Sequence, residues 1–170
     1  VKNYNTVLMG MGIAGGFMLA FASTGHAQVA GIAPDTARSV IRPYEEACEP
    51  ALRMGDPVTA CILDEARWLG DRGWPAYNER VLAIEVNWEG DRLHSAEVLL
   101  DRSDYDFALA FQRGENGTPL DEEPGQALFQ AGSGAVGVYR DLMGDEFARA
   151  LVLAPHVASR FAILVPVRAQ

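Results

Sequence analysis

The chain has 170 residues and carries 14 Lys and Arg against 23 Asp and Glu, a net charge of −9. An acid surplus of this size excludes nucleic acid and anionic membrane surfaces as natural partners, because both repel it. It suits a cationic partner, or serves solubility alone.

The first stretch, VKNYNTVLMGMGIAGGFMLAFASTGHAQ, has Lys2 as its single charge, an apolar run from Val7 to Ala22, and small residues Gly25 and Ala27 flanking His26. A basic start, an apolar middle and a small-residue end predict a secretory signal peptide over residues 1–27, cut after Ala27. The run of about 16 residues falls short of the roughly 20 that span a bilayer. No Cys follows it, so no lipid anchor is expected. Loss of Lys2 with the leader would bring the net charge to −10, with arginine as the sole strong cation. Residues 28–34 (QVAGIAP) read as a flexible mature N-terminus, and 35–170 as one domain.

From Asp35 the pattern is helical. Asp35 or Thr36 can cap a helix whose face is Val40, Tyr44, Ala47, Ala51 and Met54, at spacings of three and four. Pro43 and Pro50 divide it into short pieces. Gly55-Asp56-Pro57 reads as a stop and a restart. The next helix carries Ala60, Cys61, Trp68 and Leu69, and GDRGWP (residues 70–75) kinks or turns it. Tyr77, Val81, Ile84 and Trp88 form an apolar stripe among Glu79, Arg80, Glu85 and Glu89. After Gly90-Asp91, Leu93, Ala96, Leu100, Ser103, Phe107 and Ala110 predict a helix of about five turns. Residues 114–126 (GENGTPLDEEPGQ) read as an acidic loop. A last helix from about Ser133 presents Val136, Tyr139, Met143, Phe147 and Ala150. Residues 152–170 form an ambiguous tail, either a short strand or a buried turn. The expected fold class is all-α, a small antiparallel bundle of four to five helices.

Cys48 and Cys61 are the two cysteines, spaced C-x12-C. That is not the redox C-x-x-C spacing, and with only His94 and His156 beyond the leader it matches no recognised zinc pattern. In an exported chain the two form one disulfide, here between neighbouring helices. GSGAVG (residues 132–137) matches G-x-G-x-x-G formally, but no alternating strand precedes it, so the glycines read as a turn that Ser133 caps. His94 and His156 are acid–base candidates only as any histidine is, with His94 expected to be exposed. Trp68, Trp74 and Trp88 could line a groove, with core packing the commoner use of such residues. Asn116-Gly117-Thr118 is a glycosylation sequon without consequence in a bacterial periplasm. No metal or cofactor is expected.

Cys61 followed by Glu65, Asp71 and Tyr77, with Cys48 a dozen residues upstream, resembles the opening of the LprI-like family of small exported bacterial proteins of the lysozyme-inhibitor type. Phe107 and Phe111-Gln112-Arg113 are similar to its aromatic-rich middle segment, and Gly132-Ser133 with Tyr139 to the entry of its last helix. Arg149 and Leu151 loosely match its ending. The resemblance implies an all-helical exported domain that, in some members, binds and inhibits lysozyme, a cationic enzyme. It implies no catalytic residue. The expected function is a non-enzymatic binding protein, periplasmic or secreted, with acidic residues and an exposed aromatic such as Trp74 at the contact. The competing readings are a small enzyme acting on peptidoglycan, which needs two carboxylates across a groove, and an envelope structural or stress protein with no ligand.

Overall fold

The computed structural model describes residues 28–72, 79–140 and 146–161. It overturns the all-helical expectation. The chain forms an eight-stranded antiparallel sheet in the order β1-β2-β3-β4-β8-β7-β6-β5. The strands are β1 Glu45–Arg53, β2 Asp56–Leu63, β3 Val81–Glu89, β4 Arg92–Asp101, β5 Asp121–Glu123, β6 Gln126–Ala131, β7 Gly134–Arg140 and β8 Phe147–Leu153. Among the described residues four α-helices accompany them: α1 Arg38–Ile41, α2 Glu65–Arg72, α3 Tyr105–Asn116 and α4 Pro155–Ala158. Two four-stranded meanders thus meet along the β4–β8 pair, and α3 carries the chain from one to the other.

The sequence features read as helix breaks are hairpin turns. Met54 and Gly55 join β1 to β2 with φ of 53° and 87°, the two positive values of a type I′ turn. Gly90-Asp91, Pro124-Gly125 and Gly132-Ser133 join the next three hairpins, each with a positive φ at its glycine. The apolar residues between them alternate as strands require. Ile84, Val86 and Trp88 on β3, and Ala96, Val98 and Leu100 on β4, point to one face and are fully buried. Register carries that face across the sheet: Val86 lies opposite Ala96, Ala96 opposite Val152, and Val152 opposite Val136.

α2, α3 and the segment around Val29–Ile32 cover this face and close one contiguous core around Trp68, Trp88 and Phe129. Of residues 28–34, expected to be flexible, Val29, Ala30 and Ile32 are part of it. Val29 and Ile32 exchange backbone hydrogen bonds of 3.0 and 2.9 Å. The buried Trp68 indole donates to the Ala30 carbonyl at 2.7 Å, and the buried Gln112 amide donates to Gln28 at 2.9 Å. Trp68 and Trp88 are both core.

On the opposite face α4 lies over β7 and β4, in a small cluster of Ala135, Leu153, Ala154, Val157 and Ala158. The rest of that face is half-buried and carries the ion pairs Arg53–Glu85 and Arg149–Glu97, with Glu85 and Glu97 directly opposite in register. The acidic loop expected over 114–126 is shorter than that, since α3 runs to Asn116 and β5 begins at Asp121. Of the tail, residues 152–153 complete β8, α4 follows, and a 3-10 turn spans Ser159–Phe161.

Candidate binding cleft

Three pieces of chain converge at one end of the sheet. The β3–β4 hairpin brings Glu89, Asp91 and Arg92. The chain leaving β8 enters α4 at Ala154-Pro155-His156, with Pro155 at the first helical position. The segment from Pro34 to Ala37 passes alongside. Between them lies a cavity of about 710 Å³, within the range of ligand clefts. Pro34, Leu93 and Ala154 are buried and form its floor, while Asp35, Asp91 and His156 stand at its margin. Gly134 permits this approach: a Cβ there would sit 2.5 Å from Pro34 and 2.4 Å from the Leu153 carbonyl oxygen.

The walls are held by a chain of polar contacts. Arg92 donates to Glu89 at 2.9 Å, and His156 Nε2 lies 3.1 Å from Glu89 Oε2. Beneath the cleft His94 is fully buried, contrary to the exposed position expected of it. Its Nε2 is 3.0 Å from Asp56 Oδ2 and its Nδ1 3.1 Å from Ser95 Oγ. Arg160 grips Asp56 with both terminal nitrogens, one of them at 2.8 Å. The Ala154 amide donates to the His94 carbonyl at 3.1 Å. The two imidazoles are 6.2 Å apart and nearly perpendicular.

These contacts fix charge. Arg160, and after it His94, hold the Asp56 carboxyl well below the usual carboxylate range. An ionised Asp56 only accepts, so His94 Nε2 carries a hydrogen. The Glu89 carboxyl is lowered, chiefly by Arg92. His156 is lowered as well, first by burial and then by Arg92, against the opposing pull of Glu89. A neutral His156 therefore donates through Nε2 to an ionised Glu89. The Asp56–His94–Ser95 sequence of contacts has the membership of a hydrolytic triad but not its use, because His94 and Ser95 are both buried where no substrate reaches them.

The residues singled out from the sequence lie elsewhere. Cys48 and Cys61 do pair, but across two strands and not two helices. Glu65 opens α2; Asp71, near its end, accepts from the Tyr44 hydroxyl at 3.1 Å. Phe107 lies on α3 beneath the Arg80 guanidinium, 4.2 Å from the ring centre, and Arg113 pairs with Glu122. Gly132 and Ser133 form the β6–β7 turn instead of capping a helix, and Tyr139, its hydroxyl raised by burial, lies against Gly137 on β7. Trp74 and Tyr77 lie outside the described residues, as do residues 1–27, where a leader is expected, and residues 162–170. The structure thus gathers none of these described residues at the cleft. The sequence signal for the cleft is that His94 and His156 meet there.

One donor set could suggest a metal: Glu45, Cys48 and Cys61 offer atoms within 4.8 Å of one another. The two sulfurs are bonded to each other and Glu45 holds Arg38, so the set has no thiolate to give. No helix among the described residues is long and apolar enough to cross a membrane. Neither a protein-family model, nor a curated protein, nor a solved structure matches the chain.

Proposed function

We propose that the chain is a non-enzymatic binding protein of the bacterial cell envelope, periplasmic or secreted, whose partner is cationic. The observation that carries this is how the charges are spent. Eight of the described arginines lie within 4.0 Å of a carboxylate of the same chain. Arg72 and Arg140 lie over the rings of Trp68 and Tyr105. Most of the described cations are thus engaged within the chain, while Asp35, Glu46, Glu49, Asp106, Glu115, Asp121 and Glu123 stay exposed and form no ion pair among the described residues. A surface of this kind speeds encounter with a basic protein. The disulfide supports the exported location.

Hydrolysis of peptidoglycan receives less support. A general acid needs a carboxyl raised toward neutrality, and among the described residues the carboxyls that depart from their ordinary values, Asp56, Glu89 and Asp101, are all lowered. The LprI-like resemblance names lysozyme, and lysozyme remains the right probe as a cationic enzyme of the envelope, although the helical domain implied with it is not the fold adopted.

The test is lysozyme turnover with increasing amounts of the protein at low and at physiological salt. Near-stoichiometric slowing that weakens with salt is expected. Neither slowing nor binding at low salt, with lysozymes of several types, would overturn the reading.

A further inference from the structure

The proposed cationic partner does not by itself say where it docks. The geometry points to the cleft between the Pro34–Ala37 segment, the β3–β4 hairpin and the start of α4 as the docking site, and to a basic protein presenting a lysine or arginine side chain as its occupant. This rests on the binding reading above and narrows it.

The exposed acids outside the cleft sit on open surface. Glu46 and Glu49 lie on the β1 edge, and Asp121 and Glu123 on the β5 edge. A cation there stays in water, and such pairs contribute little. At the cleft the arrangement differs. A buried apolar floor of Pro34, Leu93 and Ala154 lies under a mouth that carries Asp35 and Asp91. Lysine and arginine have this same division, an apolar stem below a charged head. The stem can lie along the floor while the head meets the two aspartates.

The local cations compete only weakly for these aspartates. Arg92 is committed to Glu89 at 2.9 Å, and Glu89 is further held by His156. Arg38 reaches Asp91 only at 3.8 Å, with the Asp91 side chain 92 % exposed, and its stronger contacts are to Glu45 at 3.2 Å and the Gly90 carbonyl at 2.8 Å. A free polyamine shares the cationic head group. A protein is the better fit because the cavity of about 710 Å³ is several times larger than one side chain needs, leaving room for the loop that bears it.

The experiment compares two double variants of the full chain with equal change in net charge: Asp35→Asn with Asp91→Asn at the cleft, and Glu46→Gln with Glu49→Gln on the β1 edge. All four side chains are exposed, and neither pair removes a core contact. Binding to lysozyme is measured by calorimetry at low salt. The cleft variant is expected to weaken the wild-type affinity about tenfold, the difference of roughly 1.4 kcal/mol that two desolvated charge contacts supply. The edge variant should stay within about twofold. Equal weakening by both variants would overturn the cleft as the site and leave the cationic-partner reading standing. A wild-type chain that binds spermidine and no basic protein would overturn the occupant. Absence of any binding by the wild type would overturn both readings together.

Discussion

Asp56 joins pieces of chain that are far apart in sequence. It opens β2, grips Arg160 after α4, and meets the buried His94 of β4. Its carboxyl is lowered in the folded state, so the folded chain releases this proton more readily than the unfolded one. The contribution to stability is present above the ordinary Asp value of 3.8 and is lost as pH falls from there through the lowered value. Asp56→Asn should therefore be less stable than wild type at pH 7, with a gap that begins to shrink below about pH 3.8 in urea titrations. A gap that stays constant down to pH 2 would show that the carboxylate charge is not what holds α4. His156 runs the same way in sign, in a higher pH window. Its lowered value favours the neutral ring in the folded state, so its contribution is present above 6.5 and is lost as pH falls through that value toward the lowered one. Its ring resonances should titrate with a midpoint below 6.5 by NMR; a midpoint above it would mean that Glu89 outweighs burial and Arg92.

The secondary elements explain what the sequence made legible and what it did not. The punctuation is plain: Gly55, Gly90, Gly125 and Gly132 mark four hairpin turns, and all four fall at breaks or in a loop in the sequence reading. The elements between them read as helices for two physical reasons. The strands are unusually rich in alanine, with Ala60, Ala96, Ala127, Ala135, Ala148 and Ala150 all buried, and alanine is the strongest helix former. Here its small side chain lets helices and neighbouring chain pack close to the sheet, so tertiary packing overrides propensity. Second, both faces of the central strands are covered, so Trp88 and its neighbour Asn87 are both buried and simple alternation is lost. Register shifts between Val81 and Ala83 and between Asn87 and Trp88 add to this, leaving spacings of three and four that mimic a helix. The disulfide was legible because compartment and cysteine count argue for it without reference to fold.

β1 also shows how an edge is protected. Cys48 and Cys61 face each other with Cα atoms 4.1 Å apart, the close spacing of a non-hydrogen-bonded pair. Pro50, opposite Thr59, falls at the same kind of position, so its nitrogen faces the open edge and offers no donor to a passing strand. Glu46 and Glu49 add like charge on that edge. Pro50→Val should leave the fold intact and increase self-association, read by light scattering at high salt where the acids are screened. Unchanged monodispersity would mean that the acids alone protect the edge. Reducing the disulfide should cost at most about 3 kcal/mol, a fall in Tm of about 10 °C, because the two-residue turn already keeps the hairpin together.

At the scale of the whole molecule the two meanders could be separate folding units or one. The only sheet pairing that joins them, among the described residues, is β4 with β8, from Ser95–Leu153 to Asp101–Phe147. The core answers for unity, since Trp68, Trp88 and Val86 of the first meander belong to the same buried cluster as Phe129, Val136 and Val152 of the second. A side chain deleted from one half should then destabilise both. The tryptophans make this measurable: Trp68, Trp74 and Trp88 all precede β4, so fluorescence reports the first half while far-ultraviolet dichroism reports the entire sheet. Val136→Ala removes buried methyls from the middle of β7, at a cost on the order of 2 kcal/mol. If the core is continuous, the fluorescence and dichroism midpoints in denaturant fall together and by the same amount. If the halves are independent, the tryptophan transition stays where it was while part of the dichroism is lost earlier. That result would also separate the two sides of the cleft, because its hairpin wall belongs to the first half and α4 follows the last strand of the second.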